Sequence, residues 1–269
     1  MTPTKEQLKQ FVNQLNEATK KEVITIEATP VAELPLTSSK FSGLPYVPKG
    51  GSLPTDEQGN SFLMLSQINC EELPENSIYP KKGILQFWII DGDDLYGMDF
   101  DNPCSNKGKR IIYYPEIVEA LSPEQIKEQY VLTEGYTPMN PHQELALTFT
   151  SKSEGISIND YRFDTIFSEK WNSYFSQEID DMWDLPEEIS DILWDLIPDA
   201  MEHRIGGYPH FNQQDPRDED SPYTELLLQI DSDVTDIMWG DHSVANFFIK
   251  KEDLQKCNFD DVLYNWDCS

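Results

Sequence analysis

The stretch TELLLQIDSD (224–233) decides how this chain is read, because a near copy of it, SFLMLSQINC (61–70), lies in the first half. In each, an apolar run carries one glutamine, Gln67 or Gln229, then an isoleucine, then Asn69 or Asp231. A short apolar run bounded by turn residues predicts a strand. Working outward, Gly43-Leu44-Pro45 precedes the first copy and Gly207-Tyr208-Pro209 the second, while Phe87-Trp88-Ile89 and Phe247-Phe248-Ile249 follow them. Asp93, Leu95, Tyr96 and Asp99 then answer Asp261, Leu263, Tyr264 and Asp267. Four anchors in one order, at a slowly drifting spacing, imply a duplicated unit of a Gly-x-Pro turn and three strands.

The expected fold is α+β: a single domain over residues 1–269 built from two β-rich pseudo-repeats of mostly antiparallel strands, with packed helices completing one globule. The copies run over about 41–101 and 205–268, and a helix-rich connection spans about 116–202. Residues 4–19 read as an amphipathic helix with Thr4 and Gln7 as capping box and Leu8, Phe11, Val12 and Leu15 on one face. Ser122, Pro123 and Gln125 mark a second helix start, and Pro186 a third, with Ile189, Ile192, Leu193 and Leu196 on one stripe.

The charge balance is lopsided, with 49 acidic against 20 basic side chains and a formal net charge of -29. That excludes binding to nucleic acid or an anionic membrane by phosphate neutralisation, and favours a basic partner or a cation; the plainer reading is a solvated acidic surface. The first residues have no signal-peptide core and no stretch is apolar enough to span a bilayer, so a soluble cytoplasmic protein is expected. Cys70, Cys104, Cys257 and Cys268 are widely spaced and read as reduced thiols, with Cys268 the most exposed.

The combination of GLPY (43–46), GGYPHF (206–211), LLLQIDSD (226–233), IMWGDHSVANFFI (237–249) and DVLYNWDC (261–268) resembles the bacterial YwqG-like family of uncharacterised proteins. The resemblance covers essentially the whole chain. It implies an α+β globule and, because some members are encoded near secreted toxin systems, an immunity or toxin-associated role. Ser42 stands where related first-half turns carry a second glycine.

Candidate site residues follow from the repeated polar positions. Gln67, Asn69, Gln229 and Asp231 must either hydrogen-bond internally or line a pocket, since each sits at the end of an apolar run. Trp239, Asp241 and His242 of WGDHS, with His210 beside Pro209, form a second ligand-binding set, although adjacent Asp241 and His242 point apart on an extended chain. Asp99 and Asp267 are the candidate metal ligands if they meet across a cleft; otherwise each belongs to a half-buried strand whose acids point outward, with Tyr96 or Tyr264 facing the core. DGDDLYGMDFDN (91–102) lacks calcium-loop spacing because Leu95 takes a ligand position.

No hydrolase, zinc, P-loop or dinucleotide motif occurs, and no cofactor is indicated. The preferred function is a non-enzymatic binding protein whose acidic surface engages a basic protein. The alternatives are an enzyme, hydrolase-like or metal-dependent, using Asp and His groups between the repeats, and a small-ligand binding module.

Overall fold

Both glutamine runs are strands. In the computed structural model, which describes residues 2–133, 135–233 and 235–267, they are β3 (Phe62–Asn69) and β8 (Glu225–Asp231). Among the described residues the sheet is completed by β1 (Lys21–Val31), β2 (Lys40–Phe41), β4 (Ile84–Ile90), β5 (Lys109–Tyr114), β6 (Glu144–Glu154), β7 (His203–Gly206), β9 (Val244–Ile249) and β10 (Val262–Asp267). All pair antiparallel, in the order β10-β9-β8-β7-β1-β6-β2-β3-β4-β5. The order reads alike from either edge: β1 and β6 form the central pair, and Ile24 of β1 faces Ile205 as Leu145 of β6 faces Phe41. The fold is thus mostly β, with helices, in one globule.

The sheet curls until it is nearly a closed barrel. Six strands separate β4 from β9, yet the rings of Phe87 and Phe247 lie 5.2 Å apart in the enclosed core. Matching bulges, between Met64 and Ser66 in β3 and between Leu226 and Leu228 in β8, insert Leu65 and Leu227 into that core and bend both halves alike.

Across the outer face runs a row of polar side chains in register: Lys40, Gln67 and Gln86 in one half; Arg204, Gln229, Asn246 and Asn265 in the other. Gln67 Oε1 accepts from the Tyr46 amide, and its Nε2 donates to the Leu36 and Ser38 carbonyls, each at 2.8 Å. Gln229 does the same with the His210 amide and the Ala200 and Glu202 carbonyls, again at 2.8 Å. Gln86 and Asn246 donate in turn to the Tyr46 and His210 carbonyls. Each buried amide therefore pins the segment that crosses the outside of its half-sheet, satisfying backbone groups that would otherwise be orphaned. Lys40 Nζ meets Glu144 Oε1 at 2.9 Å, and Arg204 meets Glu154, so β6 supplies one carboxylate to each half.

The turn residues obey the same logic. Ser42 and Gly43, like Gly206 and Gly207, take positive φ (58°, 77°, 69° and 69°). A Cβ on Gly43 would come within 2.3 Å of the Glu144 side chain that holds Lys40. Ser42 tolerates its conformation while its hydroxyl donates to the Asn140 carbonyl at 2.8 Å.

Outside the second half lies a helical layer of α1 (Lys5–Ala18), α3 (Phe163–Phe175) and α4 (Glu187–Trp194); α2 (Pro123–Gln129) and α5 (Lys251–Gln255) are short connectors. The capping boxes at Thr4/Gln7 and Ser122/Gln125 are both present. Phe11 meets Phe167 and Trp171 edge-on at 5.4 and 5.2 Å, at the centre of a second core that includes Leu8, Ile189 and Leu193.

Two expectations are corrected. The connection over 116–202 contains β6, half of the sheet's centre, besides its helices. Residues 91–101 form turns rather than a strand equivalent to β10, since Gly92, Tyr96 and Gly97 all have positive φ (73°, 49° and 77°). The first-half partner of β10 in the strand order is β5. The two Asp-x-Leu-Tyr motifs instead touch: Tyr264 Oη donates to the Tyr96 carbonyl at 2.9 Å, Trp266 Nε1 to the Leu95 carbonyl at 2.7 Å, and the Tyr264 amide to the Pro103 carbonyl. The 91–106 excursion so covers the free edge of β10.

Replacing Gln229 by leucine leaves one amide and two carbonyls without partners under the crossing segment, at about 1–3 kcal/mol each. Urea denaturation of Gln229→Leu and of Gln67→Leu is expected to show comparable losses of at least about 3 kcal/mol; a loss below about 1 kcal/mol in either would contradict the pinning role.

Candidate binding face

The repeated polar residues are spent on the fold. Besides the two glutamines, Asn69 Nδ2 donates to the Thr37 carbonyl at 3.0 Å and its Oδ1 caps the Glu71 amide at 3.1 Å. The Asp231 amide donates to His203 Nδ1 at 2.9 Å, which leaves His203 Nε2 to donate to Asp233 at 2.9 Å. Burial pushes the Asp231 carboxyl above its ordinary range; burial would do the same to Asp233, but hydrogen bonds from His203 and Thr235 outweigh it and hold Asp233 low.

The WGDHS residues divide between core and surface. Trp239 is fully buried, edge-on to Tyr96 at 5.6 Å, whereas Asp241 and His242 lie exposed on a turn in which Gly240 and His242 have positive φ. Asn212 links that turn to His210, its Nδ2 donating to the His242 carbonyl at 2.7 Å and its Oδ1 lying 3.2 Å from His210 Nε2.

Asp99 and Asp267 take different roles. Asp99 Oδ1 accepts from the Asp101 and Asn102 amides in a turn that lines a surface depression with Asp93, Leu95 and Lys107. Asp267 was expected to point outward but is 7% exposed, because the 212–213 loop covers it and donates two backbone amides to Oδ2 at 2.8 and 2.9 Å. Burial still raises the Asp267 carboxyl above its usual range. Asp267 does not line the depression that holds Asp99, and among the described residues no three His, Cys, Asp or Glu side chains converge as metal ligands would. Cys70, Cys104 and Cys257 are free thiols, and burial pushes Cys70 up to about 12; Cys268 lies outside the described residues. No helix among the described residues is long and apolar enough to cross a membrane.

Two features escaped the sequence reading. One is a buried ionic knot: Asp160 receives Arg162 Nε and Nη2 at 2.7 and 2.8 Å and Arg217 Nη2 at 3.4 Å, while Arg217 also grips Asp215 and lies 3.9 Å above the Phe248 ring. It ties the start of α3 to β9. Burial alone would raise the Asp160 carboxyl, but the two arginines hold it below the usual range.

The other is the outer face of α4. Between Lys170 and Arg204 the sequence has no lysine or arginine. Ile189 and Leu193 of α4 turn inward, so Glu187, Asp191 and Asp195 form a row at four-residue spacing on the exposed side. Among the described residues none of the three has a basic group within 4 Å. Like charges at this spacing repel one another, and Asp191 and Asp195 also sit toward the helix C-terminus, where the macrodipole disfavours acids, whereas Glu187 in the first turn is favoured by it. Beside the row, the rings of Trp183 and Trp194 lie 5.9 Å apart, 67% and 52% exposed. A long acid run without a basic residue, with tryptophans near each end of a helix stripe, was the available signal.

A cavity of about 420 Å³ also opens at one end of the barrel, lined by Glu22, Ile78, Tyr79, Glu225, Lys251 and Leu254 among others. Glu22 Oε2 accepts both the amide and the hydroxyl of Ser77 there.

The structure thus defines a curled antiparallel sheet with an acidic helical flank, whose conspicuous polar residues serve the scaffold. The sequence model of the family described as "Domain of unknown function (DUF1963)" matches residues 39–268, and the chain belongs to that family. No curated protein matches it.

The acid dependence of stability follows from Asp160. Its folded value lies below the unfolded one, so its contribution is present above pH ~4 and is lost as pH falls through the unfolded and then the folded value. Asp160→Asn, which leaves Arg162 and Arg217 without their shared carboxylate, is expected to cost about 3–5 kcal/mol at pH 7 and to flatten stability against pH below ~4, as measured by denaturant titrations across pH. An unchanged acid limb would contradict this.

Proposed function

We propose that the chain is a YwqG-like member of this family and a non-enzymatic binding protein, acting in the cytoplasm, that captures a basic protein on its acidic flank. The observation that carries the reading is the Glu187, Asp191 and Asp195 row, which has no ion pair among the described residues and whose mutual repulsion, with Asp191 and Asp195 toward the C-terminus, works against its own helix. Residues that cost stability in the free protein are expected where another property is selected. Electrostatic capture would make association fast and salt-sensitive. An immunity or toxin-associated role is consistent with such a partner and comes from the family resemblance.

A charge-removing variant separates stability from binding. Asp191→Asn/Asp195→Asn is expected to raise Tm by a few degrees and to weaken binding to cationic proteins, with cytochrome c as probe and calorimetry at low and high NaCl as the measurement. Equal affinity for variant and parent, or binding indifferent to salt, would refute the reading. A second reading, a small-ligand binding module, is favoured by the cavity at the barrel end; a metabolite screen that gave no thermal stabilisation would remove it.

A further inference from the structure

The two tryptophans differ from the rest of their kind. The chain has six; Trp88, Trp171 and Trp239 are at most 1% exposed and Trp266 is partly buried against the barrel core. Trp183 and Trp194 alone are more than half exposed, and they touch each other. No other two exposed aromatic rings are in contact among the described residues.

They also sit on a built platform. Trp183 lies in a one-turn helix, Met182–Asp184, whose cap Asp181 accepts from the Trp183 amide at 2.7 Å. Ser190 of α4 donates its hydroxyl to the Met182 carbonyl at 3.2 Å, tying that turn to the helix that carries Trp194. Buried Met182, Leu185, Ile189 and Leu193 anchor both pieces beneath. The backbone that carries both rings is thus held in place before binding, which lowers the ordering cost of using them as anchors.

The charges around them select the occupant. Glu187, Asp191 and Asp195 advance by one helical row, about 6 Å for every four residues, alongside the aromatic pair. A partner helix lying along α4 meets that spacing when it carries Lys or Arg at positions i, i+4 and i+8 and an apolar stripe beside them. An extended peptide also repeats one face at about 6.6 Å, every second residue, but its apolar side chains then point away on the opposite face. A helix can carry an apolar stripe next to its cations, where the tryptophans lie.

We propose that the Trp183–Trp194 platform and the adjoining acidic row of α4 form the docking surface for a basic amphipathic α-helix of the partner, with apolar side chains of that helix packed across the exposed faces of the two rings. The proposal rests on the capture of a basic protein and adds the element that is captured.

The test uses the full chain and two synthetic peptides of identical Leu and Lys composition, one amphipathic as a helix and one scrambled to spread its leucines around the axis. Binding is read by tryptophan fluorescence and by calorimetry. The amphipathic peptide is expected to bind at least ~10-fold tighter than the scrambled one and to protect the exposed tryptophans from iodide quenching. Trp183→Ala/Trp194→Ala is expected to weaken it by ~30-fold or more, the scale of an interface hot spot, with Tm nearly unchanged because both rings are largely in solvent. Should the double variant lose its fold, Trp183→Ala, on the more exposed ring, gives the same comparison. Equal affinity for both peptides, or retention of affinity in a folded Trp variant, overturns the helix platform while leaving electrostatic capture standing; loss of salt dependence overturns the capture itself.

Discussion

Two buried side-chain amides set the terms for the rest of the molecule. Gln67 and Gln229 each engage two carbonyls of the stretch that leads into a short strand, β2 or β7, and one amide of the stretch that leaves it. Losing those bonds would leave buried backbone groups unsatisfied, and each such group costs about as much as several surface ion pairs. The amide side chain suits the task because it offers an acceptor and two donors in one plane. An acid of the same length would lack the donors. From this follow the bulges that aim Leu65 and Leu227 inward, the cationic neighbours Lys40 and Arg204, and the central β6 that supplies Glu144 and Glu154 to hold them.

That division of labour bears on function. In the barrel, the repeated glutamines and Asn69 are bonded to backbone groups. The helical flank carries a different kind of polar group, acids held in no ion pair among the described residues. There, α4 carries acids where helix stability would prefer bases, and tryptophans where stability would prefer burial. The proposed binding role rests on these features, which oppose the stability of their own element.

Much of the scaffold was legible in the sequence. The Gln-Ile runs, the Gly-x-Pro turns and the capping boxes at Thr4 and Ser122 are local signals with a local cause, and they report strands, turns and helix starts directly. The central strands were not legible: KEVITIEATPV (21–31) and ELALTFTSKSE (144–154) are interspersed with charges and threonines, and they pair with each other across more than a hundred residues of chain. Their order comes from tertiary pairing rather than from periodicity. The Asp-x-Leu-Tyr motif misled because likeness of residues hid unlike backbones; Gly92 and Gly97 on either side of Tyr96 carry the positive φ that makes a turn, and β10 has no glycine at all. The Trp183–Trp194 platform was hidden for a different reason, since an aromatic residue in an apolar stripe is buried by default and only the packing of α4 reveals which ones are left outside.

The central claim is that the two glutamine amides hold the crossing segments as parts of the global core rather than as surface loops. Native-state hydrogen exchange at the Tyr46 and His210 amides tests it most directly. Both amides are expected to exchange only through global unfolding, with opening free energies equal to the stability measured by denaturant, and in Gln67→Leu and Gln229→Leu respectively to fall to local opening. Fast exchange of either amide in the parent protein, at rates typical of exposed loops, would contradict the account.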